Sequence, residues 1–205
     1  MKPFSADWIT PSWATSCEPM PESTRETEIK LALPNAAEGR RLLRAAGFRL
    51  SKRRVFETNT LFDTAAGELR RAGALLRVRR AGRLGLLTYK GPAAVGKYKD
   101  REELEVEVAD PERLEQILAR VFFRPAFLYE KYRAEYHRPG ESGVAMLDET
   151  PIGVYLELEG APSWIDGSAR RLGFQENSYI LASYYALYVS YCQLKGEHPA
   201  NMTFK

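Results

Sequence analysis

The stretch that decides the fold is RETEIK, residues 25–30, in which Glu26, Glu28 and Lys30 occupy every second position. On a helix these three charges would spread around the surface, whereas on a β-strand they all point to one side. A strand that turns them inward buries charge, which costs free energy unless the charges are paired or bind a ligand. The rest of the chain must therefore indicate whether this face meets water or the interior.

The alternation of RETEIK recurs along most of the chain. It predicts strands over residues 24–33, 52–63, 75–80, 84–91, 101–108, 126–137, 144–150 and 154–160. Helices are predicted over residues 36–48 and 111–123, with one helical turn in 64–74 and a helical segment from Ser168 onward. Asn35 and Asp110 are the expected N-caps of the first two helices, and Gly47 the expected stop of the first. Leu181, Tyr185, Tyr188 and Val189 are the expected apolar stripe of the last. Because many strand connections are short, the sequence predicts an α+β fold, a closed antiparallel barrel of about eight strands with flanking helices.

Most of these strands carry one charged face and one apolar face. The usual explanation is an antiparallel sheet whose charges face water, and for any single strand that explanation is the better one. In a closed barrel, however, amphipathic helices need an apolar outer surface to pack against. The charged faces would then line a hydrated tunnel inside the barrel.

Composition excludes several classes of function. The 205 residues carry a formal charge of +3, from 30 basic and 27 acidic side chains, which is too balanced for a dedicated nucleic-acid binder. Cys17 and Cys192 are the two cysteines, and His137 and His198 the two histidines, so neither a disulfide framework nor a His- or Cys-rich zinc site is expected. No apolar run approaches the length needed to span a bilayer. We therefore expect a cytoplasmic protein with no membrane or nucleic-acid partner.

The chain divides into three segments. Residues 1–23 contain Trp8, Trp13 and several prolines without clear periodicity, and they are expected to form an N-terminal extension next to one tunnel mouth. Residues 24–192 are expected to form the tunnel domain and residues 193–205 a C-terminal tail. The sequence leaves the oligomeric state open, with monomer and homodimer both compatible.

The predicted charged faces have a definite chemistry. Clustered lysine and arginine bind phosphate oxygens, and arginine can do so with two hydrogen bonds. Clustered aspartate and glutamate offer the oxygen ligands that Mg²⁺ and Mn²⁺ prefer. Together they predict a site for a polyphosphate bound with a divalent cation.

These motifs also resemble a known family. ETEIK, residues 26–30, is similar to the ExExK signature of the CYTH domain, the triphosphate tunnel metalloenzymes. Similar motifs follow in the family's order, namely NTLFDT (59–64), LLRVR (75–79), LTYKGP (87–92), REELEVE (101–107), EKYRAEY (130–136), LDETPIG (147–153) and YLELEG (155–160). The resemblance covers residues 24–192 and implies an eight-stranded antiparallel barrel whose tunnel holds a triphosphate and Mg²⁺ or Mn²⁺.

The resemblance also implies a role for each charged position. The expected metal ligands are Glu26, Glu28, Glu103, Glu105, Asp148, Glu157 and Glu159. The expected substrate-binding residues are Lys30, Arg77, Arg79, Lys90, Arg101, Lys131 and Arg133. Glu28, Lys90 and Glu159 are the expected catalytic residues. Glu107 and Glu135, near strand ends, are left outside the site.

The family resemblance does not fix the reaction. A metal-dependent hydrolase acting on inorganic, nucleoside or thiamine triphosphate is the first hypothesis, and a class IV adenylate cyclase is the alternative. Cyclisation needs a place for adenine, and the sequence identifies no residues that would read that base. A non-catalytic binder of polyphosphate or nucleotide, or an interaction module with a solvated charged face, are the hypotheses from other classes.

Overall fold

The computed structural model describes residues 24–205, so the predicted extension 1–23 lies outside the described residues. Eight strands are present: β1 (Thr24–Leu33), β2 (Arg49–Thr64), β3 (Leu75–Ala81), β4 (Leu84–Lys90), β5 (Lys99–Val108), β6 (Phe123–His137), β7 (Val144–Thr150) and β8 (Gly153–Glu159). The helices are α1 (Ala36–Ala45), α2 (Glu68–Arg71), α3 (Pro111–Arg120), α4 (Pro162–Arg171) and α5 (Tyr184–Lys195). Every predicted strand is present, and β2, β5 and β6 are longer than predicted.

The strands close into a barrel in the ring order β1-β5-β4-β3-β2-β6-β7-β8. Each neighbouring pair is antiparallel, as the short connections indicated. The ring closes through β1, in which Glu26 pairs with Arg101 of β5 and Lys30 pairs with Glu157 of β8. The predicted barrel fold is therefore confirmed.

The apolar faces of the strands point outward, beneath the helices. Ile29, Leu31 and Leu156 are fully buried there, packed with Leu43 of α1 and Ile165 of α4. Removing such side chains from water is the main driving force for docking the helices on the barrel. The alternate faces, including that of RETEIK, consequently point into the barrel.

The last segment of the chain also packs on the barrel. Met202 is buried, its N–H donates to the carbonyl of Leu128 on β6, and its carbonyl accepts from the N–H of Glu130, both at 2.9 Å. Part of the predicted tail, residues 193–205, is thus attached to a strand of the tunnel domain, and α5 crosses the predicted boundary at residue 192.

The predicted N-caps are confirmed, whereas the C-terminal helical segment differs from its prediction. Oδ1 of Asn35 and Oδ1 of Asp110 each accept a backbone N–H at 2.9 Å. The prediction of one helical segment from Ser168 is wrong, because α4 begins at Pro162 and a left-handed glycine, Gly173 with φ of 87°, follows its end. Leu181 lies before α5 and packs on the barrel core rather than in a helical stripe.

Within residues 24–205, no helix combines the length and apolar character needed to cross a membrane.

Candidate functional site

A cavity of about 760 Å³ runs along the inside of the barrel. On β6 its lining extends from Ala126 near one end of the strand to Glu135 near the other. The lining includes these predicted site residues: Glu26, Glu28, Lys30, Arg77, Arg79, Lys90, Arg101, Glu103, Glu105, Lys131, Arg133, Glu157 and Glu159. The alternation seen in RETEIK therefore brings the two predicted classes of ligand into one cavity.

The acids are concentrated on one side of the cavity. Glu26 and Glu28 of β1, Glu103 and Glu105 of β5, and Glu157 and Glu159 of β8 line it. These three strands are neighbours in the ring, and we call the six glutamates the acidic wall. Lys30, Lys99 and Arg101 lie among them.

The opposite side of the cavity is basic. Arg77 and Arg79 of β3 and Lys131 and Arg133 of β6 line it. The strand between them is β2, which lies diametrically across the ring from β1. We call these four side chains the basic wall. A ligand in the cavity would therefore lie between carboxylates and cationic groups.

Part of the acidic wall is neutralised within the protein. Nζ of Lys30 lies 3.1 Å from Oε1 of Glu28 and 3.1 Å from Oε1 of Glu157, and Nζ of Lys99 lies 2.8 Å from the same oxygen of Glu28. Burial favours the uncharged form of Glu28, but Lys30 and Lys99 outweigh it and lower the pKa of Glu28. Burial likewise opposes the charge of Lys30, and Glu157 and Glu28 nevertheless raise its pKa. These groups form a charged network at neutral pH.

The remainder of the acidic wall holds excess negative charge. Lys90 forms an ion pair with Glu26, and its Nζ lies 3.2 Å from Oε1 of Glu103. Among the described residues, Glu159 has no lysine or arginine nitrogen within 4.0 Å. Burial, followed by the nearby charge of Glu26, raises the pKa of Glu159 to about 7, and burial also raises the pKa of Glu103. An added cation would relieve this repulsion.

The basic wall, in contrast, holds excess positive charge. The contact of Arg79 with a carboxylate is long, 3.9 Å from its Nε to Oε2 of Glu57. Burial and then the charge of Arg77 lower the pKa of Arg79. Nε of Arg77 and Nε of Arg79 are buried without a hydrogen-bond partner among residues 24–205. Unpaired buried donors are rare in folded proteins, and here they would be satisfied by an anion.

Asp148 supports the basic wall from behind. It is fully buried and does not line the cavity. Its carboxylate accepts from Nζ of Lys131 at 2.9 Å, from Nε of Arg133 at 2.7 Å and from the hydroxyl of Tyr184 at 2.7 Å. The structure therefore does not bring Asp148 together with the other predicted metal ligands, because its oxygens are already engaged.

The acidic wall fits a divalent cation chemically without forming a complete metal cage. Glu26, Glu103 and Glu159 offer carboxylate oxygens with excess negative charge. No group of three or more acid, histidine or cysteine side chains within residues 24–205 is close enough to hold a metal ion alone. This is the expected arrangement for Mg²⁺, which usually takes one or two carboxylates together with water and substrate phosphates.

Some charged residues in and beside the cavity were missed at the sequence level. Lys99 lies outside the predicted strand 101–108, although it is two positions before Arg101 and so shares its face. Glu57 does not line the cavity, but its Oε2 lies 3.7 Å from Nζ of Lys131 and 3.9 Å from Nε of Arg79, and it was missed because the charged face of β2 was not traced. Glu135, which was left outside the site, lines the cavity, whereas Glu107 does not. Extending the period of two over the full strands would have found Lys99 and Glu57.

These cavity-lining strands lie within a range of the chain that matches a family model. The model of the CYTH domain matches residues 24–184. This chain belongs to the CYTH family. A candidate adenylate cyclase of Methanocaldococcus jannaschii is 30% identical to this CYTH protein over 142 residues, which are 69% of this chain and 79% of that one.

Solved structures share the fold. A candidate adenylate cyclase from Vibrio parahaemolyticus has a TM-score of 0.69 at 15% identity, covering 80% of this CYTH chain and 97% of that chain. The protein PH1819 from Pyrococcus horikoshii has a TM-score of 0.67 at 24% identity, covering 81% and 99%. A candidate adenylyl cyclase from Hippeastrum, described as having a dominant triphosphatase activity, has a TM-score of 0.57 at 22% identity, covering 85% and 97%.

Proposed function

We propose that this CYTH protein is a divalent-metal-dependent enzyme that hydrolyses a triphosphate inside the barrel. The observation that carries the proposal is the pair of opposite charge imbalances across one cavity: Nε of Arg77 and Nε of Arg79 have no hydrogen-bond partner in the described part of the chain, and excess carboxylates surround Glu159. A triphosphate with a bound divalent cation is negative on one side and positive on the other. It would therefore neutralise both walls at once.

In this proposal each wall has its own task. Arg77, Arg79, Lys131 and Arg133 bind phosphate oxygens and stabilise charge that develops on the phosphoryl group. Glu26, Glu103 and Glu159 hold Mg²⁺ or Mn²⁺, with Glu105 nearby on β5. When bound, the cation would supply charge neutralisation and help to position water. Glu28 and Glu157, already paired with lysine and arginine, keep the charged network in place.

Lys90 is placed to move a proton, whereas Glu159 is placed to hold the cation. Burial and neighbouring acids raise the pKa of Glu159 to about 7 in the metal-free cavity. A bound cation would lower that pKa again, so Glu159 is proposed to bind the cation and help to orient the attacking water rather than to take its proton. Lys90 lies on β4, between the acidic strand β5 and the basic strand β3, and is proposed to donate to the leaving phosphate oxygen. Glu28 would contribute fixed charge, since two lysines keep it ionised.

A class IV adenylate cyclase is the second candidate, favoured by the name of the Methanocaldococcus jannaschii relative. It would use the same walls, with the ribose hydroxyl of ATP in place of water as nucleophile. The description of the Hippeastrum protein supports placing hydrolysis first, since there a candidate cyclase is mainly a triphosphatase.

The decisive experiment is product analysis. Purified protein is incubated with Mg²⁺ or Mn²⁺ and either ATP or tripolyphosphate, and the products are separated by ion-exchange chromatography. The expected result is release of phosphate that is abolished by EDTA and strongly reduced in Arg79→Ala. Formation of cyclic AMP and pyrophosphate would instead identify the protein as an adenylate cyclase. Tight tripolyphosphate binding with no turnover under any metal would indicate a binding protein.

A further inference from the structure

One outer face of the barrel is apolar and stays exposed within residues 24–205. On the outside of β3, β4 and β5, the register places Leu76 beside Tyr89 and Tyr89 beside Leu104, and in the next row it places Leu87 beside Val106. These side chains line a groove of about 180 Å³ on the outside of the barrel, which we call the outer groove. Its lining consists of Leu76, Leu87, Tyr89, Leu104, Glu105 and Val106.

Helix α3 covers the outer groove only from the side of β3. Val78 of β3 is fully buried and packs with Leu118 of α3, and Leu76 and Leu87 pack against that cluster. The exposed side is that of β5, where Leu104 is 42% and Val106 57% exposed. An apolar surface that adjoins the core and remains open is typical of a contact surface.

The same side of the groove has an open strand edge. β5 pairs with β1 over Lys99–Glu103, whereas its pairing with β4 continues to Val108. In the described part of the chain, residues 104–108 of β5 therefore have no strand along their second edge. Native proteins usually cover or protect such an edge, most of all where its side chains are apolar.

The N-terminal segment joins the barrel at this edge. Thr24, the first residue of β1, pairs with Glu103, which directly precedes Leu104. The guanidinium of Arg25 ties this part of β1 to β5, because its Nε and Nη2 donate to the two carboxylate oxygens of Asp100 at 3.2 and 2.9 Å. Residues 1–23 are therefore attached to the barrel immediately beside the outer groove.

The composition and length of this segment suit the groove. Its two tryptophans, Trp8 and Trp13, are large apolar side chains that gain free energy when they leave water. The chain between Trp13 and Thr24 spans about 30 Å when extended, whereas three neighbouring strands are only about 10 Å across. Pro19 and Pro21 cannot donate to a strand ladder, so we do not expect the segment to prolong β1 along β5.

We propose that residues 1–23 dock on the outer groove, with at least one of the two tryptophans packed against Leu104 and Val106. Covalent attachment beside the groove gives the segment a high effective concentration there, which a separate protein molecule lacks. The segment would then lie on the outside of the barrel wall, behind the strand that carries Glu103 and Glu105, rather than next to a tunnel mouth. This docking is independent of the reaction that takes place in the cavity.

The test is a thermodynamic cycle in the full chain, which combines Leu104→Ser with the double change Trp8→Ser and Trp13→Ser. With both tryptophans present, Leu104→Ser should lower Tm by about 4–8 °C, as expected when a buried apolar contact is lost from a chain of this size. In the chain without the tryptophans, the same change should lower Tm by less than about 2 °C, because the contact is already gone.

The cycle has a matched control and a second variant of the groove. Leu84→Ser changes a leucine of β4 that is also 42% exposed but lies outside the groove, and its effect on Tm should be the same with and without the tryptophans. Val106→Ser changes the other exposed groove position and should depend on the tryptophans as Leu104→Ser does. The two groove variants together separate loss of docking from a local defect at one position.

Two outcomes would overturn the docking of the segment. Effects of the tryptophan and groove changes that simply add would show that the segment does not contact the groove. The other outcome is a dimer, observed by analytical ultracentrifugation, that dissociates in Leu104→Ser while the tryptophan changes leave Tm unaltered. In that case a second copy of the chain, and not the N-terminal segment, would occupy the groove.

Discussion

The acidic and basic walls share the same strand geometry but have opposite charge imbalances. Both consist of alternate residues on neighbouring antiparallel strands. On the acidic wall Glu159 has no ion pair with a described residue, and on the basic wall the contact of Arg79 with Glu57 is 3.9 Å. Burying charge that is incompletely paired is costly, and mixing the charges would reduce that cost. Glu159 and Arg79 are left with little compensation on opposite sides of the barrel, which is the arrangement that the proposed ligand, carrying both signs of charge, requires.

The largest expected effect concerns the support of the basic wall. Asp148→Asn removes the charge that neutralises Lys131 and Arg133, and breaking a buried pair typically costs about 3–5 kcal/mol. Urea denaturation should show a loss of that size. Glu149→Gln, which breaks the more exposed pair with Arg54, should cost less than about 1 kcal/mol. Equal stabilities of the two variants would contradict the role given to Asp148.

The next effect concerns a proposed phosphate-binding group of the basic wall itself. Arg79→Ala should lower kcat/KM for a triphosphate about 10²- to 10³-fold, the usual effect of deleting one donor to a developing negative charge. Arg80→Ala is the matched control, because the adjacent Arg80 pairs with Glu112 and Glu115 of α3 and does not line the cavity. Steady-state kinetics should separate the two variants, and a similar loss in both would remove Arg79 from the site.

A smaller effect is expected on the acidic wall. Glu159→Gln should raise the concentration of Mg²⁺ or Mn²⁺ needed for half-maximal turnover about tenfold, as expected for the loss of one carboxylate ligand worth about 1.4 kcal/mol. Metal titrations at saturating substrate measure this change. Glu107→Gln alters an acid outside the cavity lining and should leave the metal requirement as it is. An unchanged requirement in both variants would place the cation elsewhere.

The smallest effect is a pH dependence of stability in metal-free protein. The pKa of Glu159 is about 7 when folded and near 4.5 when unfolded, so between these values the folded state binds more protons. Stability from this group is therefore lost as pH rises from about 4.5 through about 7. In EDTA, the Tm of Glu159→Gln relative to the wild type should rise from pH 5 to pH 8. A constant difference would show that the carboxyl titrates normally.

The fold and most of the site follow from the sequence, for a definite reason. A side-chain period of two over RETEIK and the later strands assigns the cavity-lining residues without any knowledge of strand order. The order does not follow, because β1 pairs with β5 and β8 through contacts distant in sequence. Asp148 shows the limit, since it shares the period of the lining residues and yet lies behind the wall, covered by Tyr184. The period also does not predict the lining residues Tyr185 and Leu69, because they lie on the helices α5 and α2 rather than on strands.

The most direct test of the two walls is the coupling between metal and triphosphate. The affinity for imidotriphosphate, a non-hydrolysable triphosphate, is measured by calorimetry with and without Mg²⁺ in the wild type, Arg79→Ala and Glu159→Gln. Mg²⁺ should raise the wild-type affinity, Glu159→Gln should lose most of that increase, and Arg79→Ala should bind weakly under both conditions. Equal affinities with and without Mg²⁺ in the wild type would contradict a site in which the two walls bind one metal–triphosphate ligand.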